Sequence, residues 1–375
     1  MPSPALPRSL YPVEPPRPAE QLLIDYLPKL KGERVLCTTL GRAQFATAAA
    51  DRDANARVVC WFLDLFAQQQ SELQIGARPA HFQLLCQPDP PAEKFDLAGL
   101  PFQRQGEVEL VRDQLQLAHD RLEIGGTLVA SSDNSDDSWL NEQLQLLFDK
   151  VSRHAVTGGV IYQAVKQRPL KKMKNFACEF AFRDGERLIY LRSRPSVFSH
   201  RSLDTGARAL IESMQLTPGQ RVLDIGCGSG AVALAAALRM EGITAHAIDS
   251  NPRAVEATQW AAVRNETGNV TASLACDGST LEPGSFDLAL GNPPYYSNFR
   301  LAEVFIETAC RALKPSGELL LVTKMPDWYE RHLSRWFAEF EPTTARQFHV
   351  FRCRGIRAAG DDNNPENADG PGSGL

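Results

Sequence analysis

The chain is sparing with the residues that build metal centres and disulfide frameworks. It has 7 histidines in 375 residues and no histidine-rich or cysteine-rich cluster. Its eight cysteines (Cys37, Cys60, Cys86, Cys178, Cys227, Cys276, Cys310 and Cys353) are scattered, and none forms a Cys-x-x-Cys pair. That distribution argues for reduced core thiols and against both a zinc site and a disulfide scaffold, so no metal is expected. No apolar run approaches the ~20 residues that span a bilayer, so no membrane partner is expected. The Pro-rich N-terminus lacks a basic stretch followed by an apolar one, so no secretory signal is read and a cytoplasmic protein is expected. What remains is a composition of 43% hydrophobic and 23% charged residues, which fits a soluble globular protein of two or three domains.

Charge is distributed unevenly. Residues 1–149 carry 13 Lys and Arg against 21 Asp and Glu, residues 150–208 carry 13 against 4, and the remainder 14 against 20. A basic middle thus lies between two acidic lobes. It contains VKQRPLKKMKN (165–175) and RLIYLRSRP (187–195). Such a segment is either a solvated linker or an electrostatic footprint for nucleic acid, with Lys171, Lys172 and Lys174 as candidate phosphate contacts.

Residues 1–19 are expected to be a Pro-rich extended segment, and the polar tail 358–375 to be disordered. Between them, two blocks alternate strand-like runs with helical periods, the signature of a parallel α/β sheet. In the second block RVLDIG (221–226), ITAHAID (243–249), VTASLACD (270–277) and SFDLALG (285–291) read as successive strands. AVALAAALRM (231–240) and LAEVFIETACRAL (301–313) read as helices, and DWYERHLSRWFAEF (327–340) as an amphipathic stretch before a last strand.

The two blocks overlay. Residues 95–133 align without a gap on 286–324, with nine identical columns that include Phe95/Phe286, Asp96/Asp287, Leu110/Leu301 and Gly126/Gly317. Upstream, ERVLCTTLG (33–41) lies on QRVLDIGCG (220–228), and VVCWFLD (58–64) on ITAHAID (243–249), which sets Asp64 opposite Asp249. The reading is one α/β domain present twice: a first copy over 20–150, a basic segment over 151–200 and a second copy over 201–357.

The second copy keeps features that the first lacks. Gly226, Gly228 and Gly230 make a tight strand-to-helix turn and leave bare backbone against which a ligand can lie. With Asp249 about 20 residues on, this spacing also satisfies a dinucleotide fingerprint, so a nicotinamide-dependent oxidoreductase is one reading. Asp224, just before the glycines, suits a ligand with a cationic amino group better than a pyrophosphate. Asp277 ends the third strand-like run, where it could accept from an adenine amino group. The fourth run ends in Asn292-Pro293-Pro294-Tyr295. All four features fall at the C-terminal edge of a parallel sheet, where open α/β folds bind ligands. The Asn292 side-chain oxygen and the Pro293 carbonyl can both accept from a planar amine, and Tyr295 offers a face for a stacked base. In the first copy Asp224 is matched by Cys37 and Asn292 by Pro101, and only Gly41 remains of the three glycines.

With these motifs the chain resembles the class I S-adenosylmethionine-dependent methyltransferases that carry Asn-Pro-Pro-Tyr. It is closest to the bacterial rRNA guanine-N2 methyltransferases with a duplicated domain. PSVFSHRSLDTGARAL (195–210) looks like a segment of that family, and so does the decayed first copy. The resemblance implies two tandem Rossmann-like methyltransferase domains, the N-terminal one degenerate. It implies that Asp224, Gly226, Gly228 and Gly230 cradle the methionine end of S-adenosylmethionine, that Phe198 lines the same side, that Asp249 binds the ribose hydroxyls and that Asp277 meets the adenine. Asn292, Pro293, Pro294 and Tyr295 would hold the guanine. The partner would be ribosomal RNA or a ribosomal subunit, and the protein a monomer. Alternatives are a protein-glutamine methyltransferase acting on release factors, a DNA adenine methyltransferase, and a non-catalytic RNA-binding or assembly factor.

Overall fold

The computed structural model describes residues 14–294 and 299–357. The chain divides into two compact units. The first comprises residues up to Ala177 with Arg194–Ser196 and Asn251–Arg253, and the second Cys178–Ser193, Val197–Ser250 and the chain from Ala254.

In the first unit, strands β1 (Arg34–Cys37), β2 (Arg57–Phe62), β3 (Phe82–Cys86), β4 (Phe95–Phe102), β5 (Leu122–Ser132), β6 (Val151–Val156) and β7 (Gly159–Val165) form one sheet. Their spatial order is β3-β2-β1-β4-β5-β7-β6. Helices α1 (Pro18–Tyr26), α2 (Gln44–Arg52), α3 (Leu65–Ile75), α4 (Val108–Arg121) and α5 (Trp139–Gln145) accompany it. The pairs from β3 to β5 are parallel, and β7 runs antiparallel to β5 and β6. Helix α1 begins inside the segment expected to be extended. Pro18 stands in its first turn, where its missing N–H is no loss.

The second unit opens with a hairpin, β8 (Cys178–Asp184) and β9 (Arg187–Ser193), then α6 (Thr205–Ser213). Its sheet uses β10 (Arg221–Ile225), β11 (Thr244–Asp249), β12 (Val270–Leu274), β13 (Phe286–Gly291), β14 (Leu313–Thr323), β15 (Phe337–Ala345) and β16 (Phe348–Ile356). Between them run α7 (Ala231–Arg239), α8 (Pro252–Arg264), α9 (Arg300–Ala312) and α10 (Pro326–His332). The strand order, β12-β11-β10-β13-β14-β16-β15, is the same topology repeated.

The duplication extends to irregularities. Phe95 pairs with Leu122 and Leu97 with Thr127, and 191 residues on Phe286 pairs with Leu313 and Leu288 with Glu318, so one bulge recurs at one place in each sheet. Apolar clusters lie on both faces of the second sheet, as a parallel sheet requires. Helix α9 sets Ala302, Phe305, Ile306, Ala309 and Ala312 at helical spacing into one of them. Helix α7, with five alanines in nine residues, is buried from Ala231 to Ala237 and packs against β10, β11 and α6.

Three expectations need correction. Residues 151–200 are not a linker: β6 and β7 complete the first sheet, while the β8–β9 hairpin belongs to the second unit. The stretch 327–340 is helical only to His332 and, after a short 3-10 turn, becomes strand β15 at Phe337. The overlay of VVCWFLD (58–64) on ITAHAID (243–249) is out of register by two residues. Arg34 pairs with Arg57 as Arg221 pairs with Thr244, so the separation stays at 187 and Phe62, not Asp64, stands opposite Asp249.

Candidate active site

The glycine turn leaves β10 with three left-handed residues, Gly226 (φ 71°), Gly228 (φ 54°) and Gly230 (φ 82°). Packing requires two of them. A Cβ at Gly226 would stand 2.5 Å from the Phe305 ring, and one at Gly230 2.8 Å from Thr258 Oγ1. Gly228 differs, because a Cβ there would meet only the Phe198 carbonyl at 3.8 Å. Its backbone faces open space, as close approach of a ligand demands. The Gly228 N–H donates to Asp249 Oδ2 (2.9 Å), tying the turn to the end of β11. The Phe198 side chain is exposed.

Asp224 is buried inside β10, and its Oδ2 accepts from the Ala233 N–H (3.0 Å) in the first turn of α7. Desolvation pushes its pKa up to about 7, the Ala233 bond opposes this and the Asp249 charge adds to it. A buried carboxylate with one donor and an acidic neighbour favours a cation close by. Asp277 lies three residues beyond the end of β12, exposed, with Oδ1 accepting from the Ser279 N–H (2.9 Å). The strand is shorter than its apolar sequence suggested.

Asn292 follows β13 directly. Gly291 is in register with Ile225, so Asn292 and the glycine turn leave adjacent strands side by side. The half-buried Asn292 donates through Nδ2 to Asp204 Oδ2 (2.8 Å), the N-cap of α6. A Cβ at Gly206 would stand 2.9 Å from Asn292 Oδ1. Pro293 is buried and Pro294 half-buried. Tyr295 lies outside the described residues. Phe299 (φ 64°) stacks on Trp328 at 4.8 Å, and Trp328 on His332 at 4.7 Å. Asp204, Gly206 and this aromatic column were not singled out from the sequence. The pattern LDTG, an acidic N-cap followed by a glycine, was the available signal for the first two.

Lys171, Lys172 and Lys174 are exposed members of the first unit. The backbone of Lys174 is held at both N–H and carbonyl by the Gln116 side chain (2.7 and 2.9 Å), and its ammonium lies 5.0 Å from the Phe176 ring centroid. The chain is therefore fixed there while the charges stay in water.

The corresponding turn of the first unit is filled from within. The buried Glu20 carboxylate of α1 accepts from Thr39 Oγ1, Leu40 N–H (3.0 Å) and Phe45 N–H (3.1 Å). Burial raises its pKa against these bonds. The Phe45 ring fills the space above Gly99, where a Cβ would be 2.3 Å away. Cys37 replaces Asp224 and donates weakly to the Val59 carbonyl. The backbone N–H groups that could meet a ligand are already bonded. Asp64, expected as the counterpart of Asp249, caps α3 by accepting from the Ala67 N–H. Among the described residues no group of His, Cys, Asp and Glu could hold a metal ion, and no helix is long and apolar enough to cross a membrane.

Residues 189–352 match the family described as the methyltransferase small domain. The chain is 33% identical over 159 residues to the ribosomal RNA small subunit methyltransferase C of Pseudomonas aeruginosa (strain LESB58), covering 40% of this chain and 46% of that protein. It is 26% identical over 250 residues to the protein of the same name from Shewanella denitrificans, covering 64% and 71%. The chain spans about half the length of the first of the curated relatives it matches. A 16S rRNA N2 methyltransferase of T. thermophilus, solved with AdoMet and guanosine, shares the fold over 90% of this chain and 92% of its own, with a TM-score of 0.75 at 20% identity. Residues 189–352 thus match a methyltransferase small domain and fall on the second of two copies of one fold, a fold shared with the T. thermophilus enzyme.

Proposed function

We propose that this protein transfers a methyl group from S-adenosylmethionine to the exocyclic N2 of a guanine in ribosomal RNA. The observation that carries the reading is the register of Ile225 with Gly291, which brings Asn292 beside the glycine turn. A ligand bed and an amine-holding side chain then share one sheet edge.

The residues fit the cofactor. Gly228 offers bare backbone, Asp249 carries hydroxyl acceptors at the end of β11, and Asp224 is a buried carboxylate that a ligand ammonium would stabilise as the anion. Bound there, S-adenosylmethionine supplies a methyl group already activated on a sulfonium, so neither a metal nor a strong base is required. Phe198 flanks the turn and Asp277 lies on the adenine side.

The chemistry left to the chain is to hold a poor nucleophile. A guanine amino group has its lone pair delocalised into the ring. Asn292 Oδ1 and the Pro293 carbonyl accept its two N–H bonds, fix the nitrogen and favour pyramidalisation towards the methyl group. Pro293 and Pro294 present no competing N–H and stiffen the turn. Tyr295 stacks on the extruded base. Lys171, Lys172 and Lys174 contact RNA phosphates, and the first unit acts as scaffold for the RNA. The protein works as a cytoplasmic monomer on ribosomal RNA or a ribosomal subunit.

The decisive experiment incubates the protein with labelled S-adenosylmethionine and with rRNA and ribosomal subunits from a strain lacking the gene. Digestion and mass spectrometry should place the label in N2-methylguanosine. Label in another nucleoside, or in a release factor offered in parallel, would overturn the assignment.

A further inference from the structure

We propose that Asp204 is a positioning residue for methyl transfer, setting which way the Asn292 amide faces, with Gly206 giving that amide its room. The proposal rests on the reading of Asn292 as the group that holds the target amine.

Asp204 is fixed before it meets Asn292. It caps α6 from an extended backbone (φ −61°, ψ 141°), and its Oδ2 accepts from the Ala207 N–H at 2.9 Å. The same oxygen accepts from Asn292 Nδ2 at 2.8 Å. A carboxylate can only accept, so the side of the amide facing it must be the NH2. The amide is thereby locked against the half-turn that would exchange its oxygen and nitrogen. Its carbonyl oxygen is left as the free acceptor. Without Asp204, either end of the amide could face the substrate, and the NH2 end would repel an amine it must accept from.

Gly206 serves the same arrangement. Its φ is not positive, so no backbone strain reserves the position for glycine. Space does: a Cβ would approach Asn292 Oδ1 and Asp204 Oδ2 to 2.9 Å each, and Asn292 Cγ to 3.3 Å. An alanine would push on both members of the hydrogen bond. The LDTG segment, 88 residues before Asn292, therefore acts as a mount for the Asn-Pro-Pro loop.

Asp204→Ser separates orientation from folding, because Ser caps helices as well as Asp. In that variant the shorter hydroxyl serves Ala207 and stops short of Asn292, whose amide is then free to turn. Single-turnover methyl transfer should fall on the order of 100-fold, the scale of a misplaced reacting group, with unchanged cofactor affinity and melting temperature. Gly206→Ala, which keeps the cap, should give the same pattern. A near-parental rate in Asp204→Ser overturns the proposal. The second readout needs no turnover: the Asn292 side-chain NH2 signals in 15N-edited NMR, identified by their loss in Asn292→Ala. They should be shifted and exchange-protected in the parent and move in Asp204→Ser. Identical signals overturn the positioning role. A parent that methylates no guanine would instead remove the functional reading, and the NMR comparison would still decide the geometry.

Discussion

The Gly228 N–H donates to Asp249 Oδ2 at 2.9 Å, so the acid at the end of β11 also holds the middle glycine of the ligand turn. On the proposed function Asp249 has two tasks, to steady the turn and to offer acceptors to ribose hydroxyls. Asp249→Ala removes both and should weaken S-adenosylmethionine binding on the order of 100-fold, the loss of two hydrogen bonds to a charged acceptor at about 1.5 kcal/mol each. Asp249→Asn keeps a carbonyl for Gly228 and should lose less. Calorimetry should find one site per chain, since Glu20 fills the corresponding turn of the first unit. Two equivalent sites would contradict that picture.

Much of this was legible in the sequence. The duplication was, because Phe95/Phe286, Leu110/Leu301 and Gly126/Gly317 hold their spacing through β4, α4 and β5 and again through β13, α9 and β14. The register of the second strand was not. VVCWF and TAHAI carry no turn residue to anchor an alignment, so Asp64 fell opposite Asp249 by composition alone. Ala275 and Cys276 continue the apolar run of β12 past Leu274, where the register with β11 reaches that strand's last residue, Asp249. Asp204 and Glu20 were illegible as site residues because their partners are fixed by the fold, across 88 residues for Asn292 and 25 for Phe45. Locally, each reads as an ordinary acidic residue in or capping a helix.

Glu20 should matter for stability and not for catalysis. Its carboxylate satisfies two backbone N–H groups and a hydroxyl in the interior of the first unit. Glu20→Ala leaves those donors without an acceptor, at about 1–3 kcal/mol for each buried group. Thermal unfolding should show a clear loss of stability, with cofactor stoichiometry still one. A second cofactor site in this variant would show that the carboxylate alone had closed the turn.

Asp224 gives a pH signature with a definite sign. Its pKa is raised to about 7 from the ordinary 3.8, so between those values the folded protein holds a proton that the unfolded chain has released. Folding stability therefore falls as pH rises through that window, by up to about 4 kcal/mol for a shift near three units. Asp224→Asn should flatten the fall. A ligand ammonium beside Asp224 favours the anion, so cofactor binding near pH 6 should release close to one proton. Calorimetry in two buffers of different ionisation enthalpy measures that release. No release in the parent would place the ammonium away from Asp224.

Asn292→Ala should lower single-turnover methyl transfer by about 100- to 1,000-fold, the usual effect of deleting one oriented polar group at a reacting centre. Cofactor affinity should stay near the parental value, because the proposed function sets Asn292 against the target amine. Asn292→Asp is the sharper variant. A carboxylate there would stand within hydrogen-bond distance of Asp204, and the two acids would share a proton or part. Its activity should rise as pH falls, when protonation relieves the repulsion. A parental rate in Asn292→Ala would remove the residue from the mechanism.

The lysines Lys171, Lys172 and Lys174 test the basic segment. They are exposed, on a chain that Gln116 holds at Lys174, so they can be replaced with little effect on folding. Phosphate contacts release counterions and carry no sequence information. Replacing all three by Gln should weaken RNA binding across sequences and flatten the plot of log affinity against log salt by about 2 units, since each contact to single strands adds roughly 0.7. The identity of the methylated base should not change. If instead these charges only solvate the surface of the first unit, filter binding over a salt series will return the parental slope, and the RNA track must be sought elsewhere on the chain.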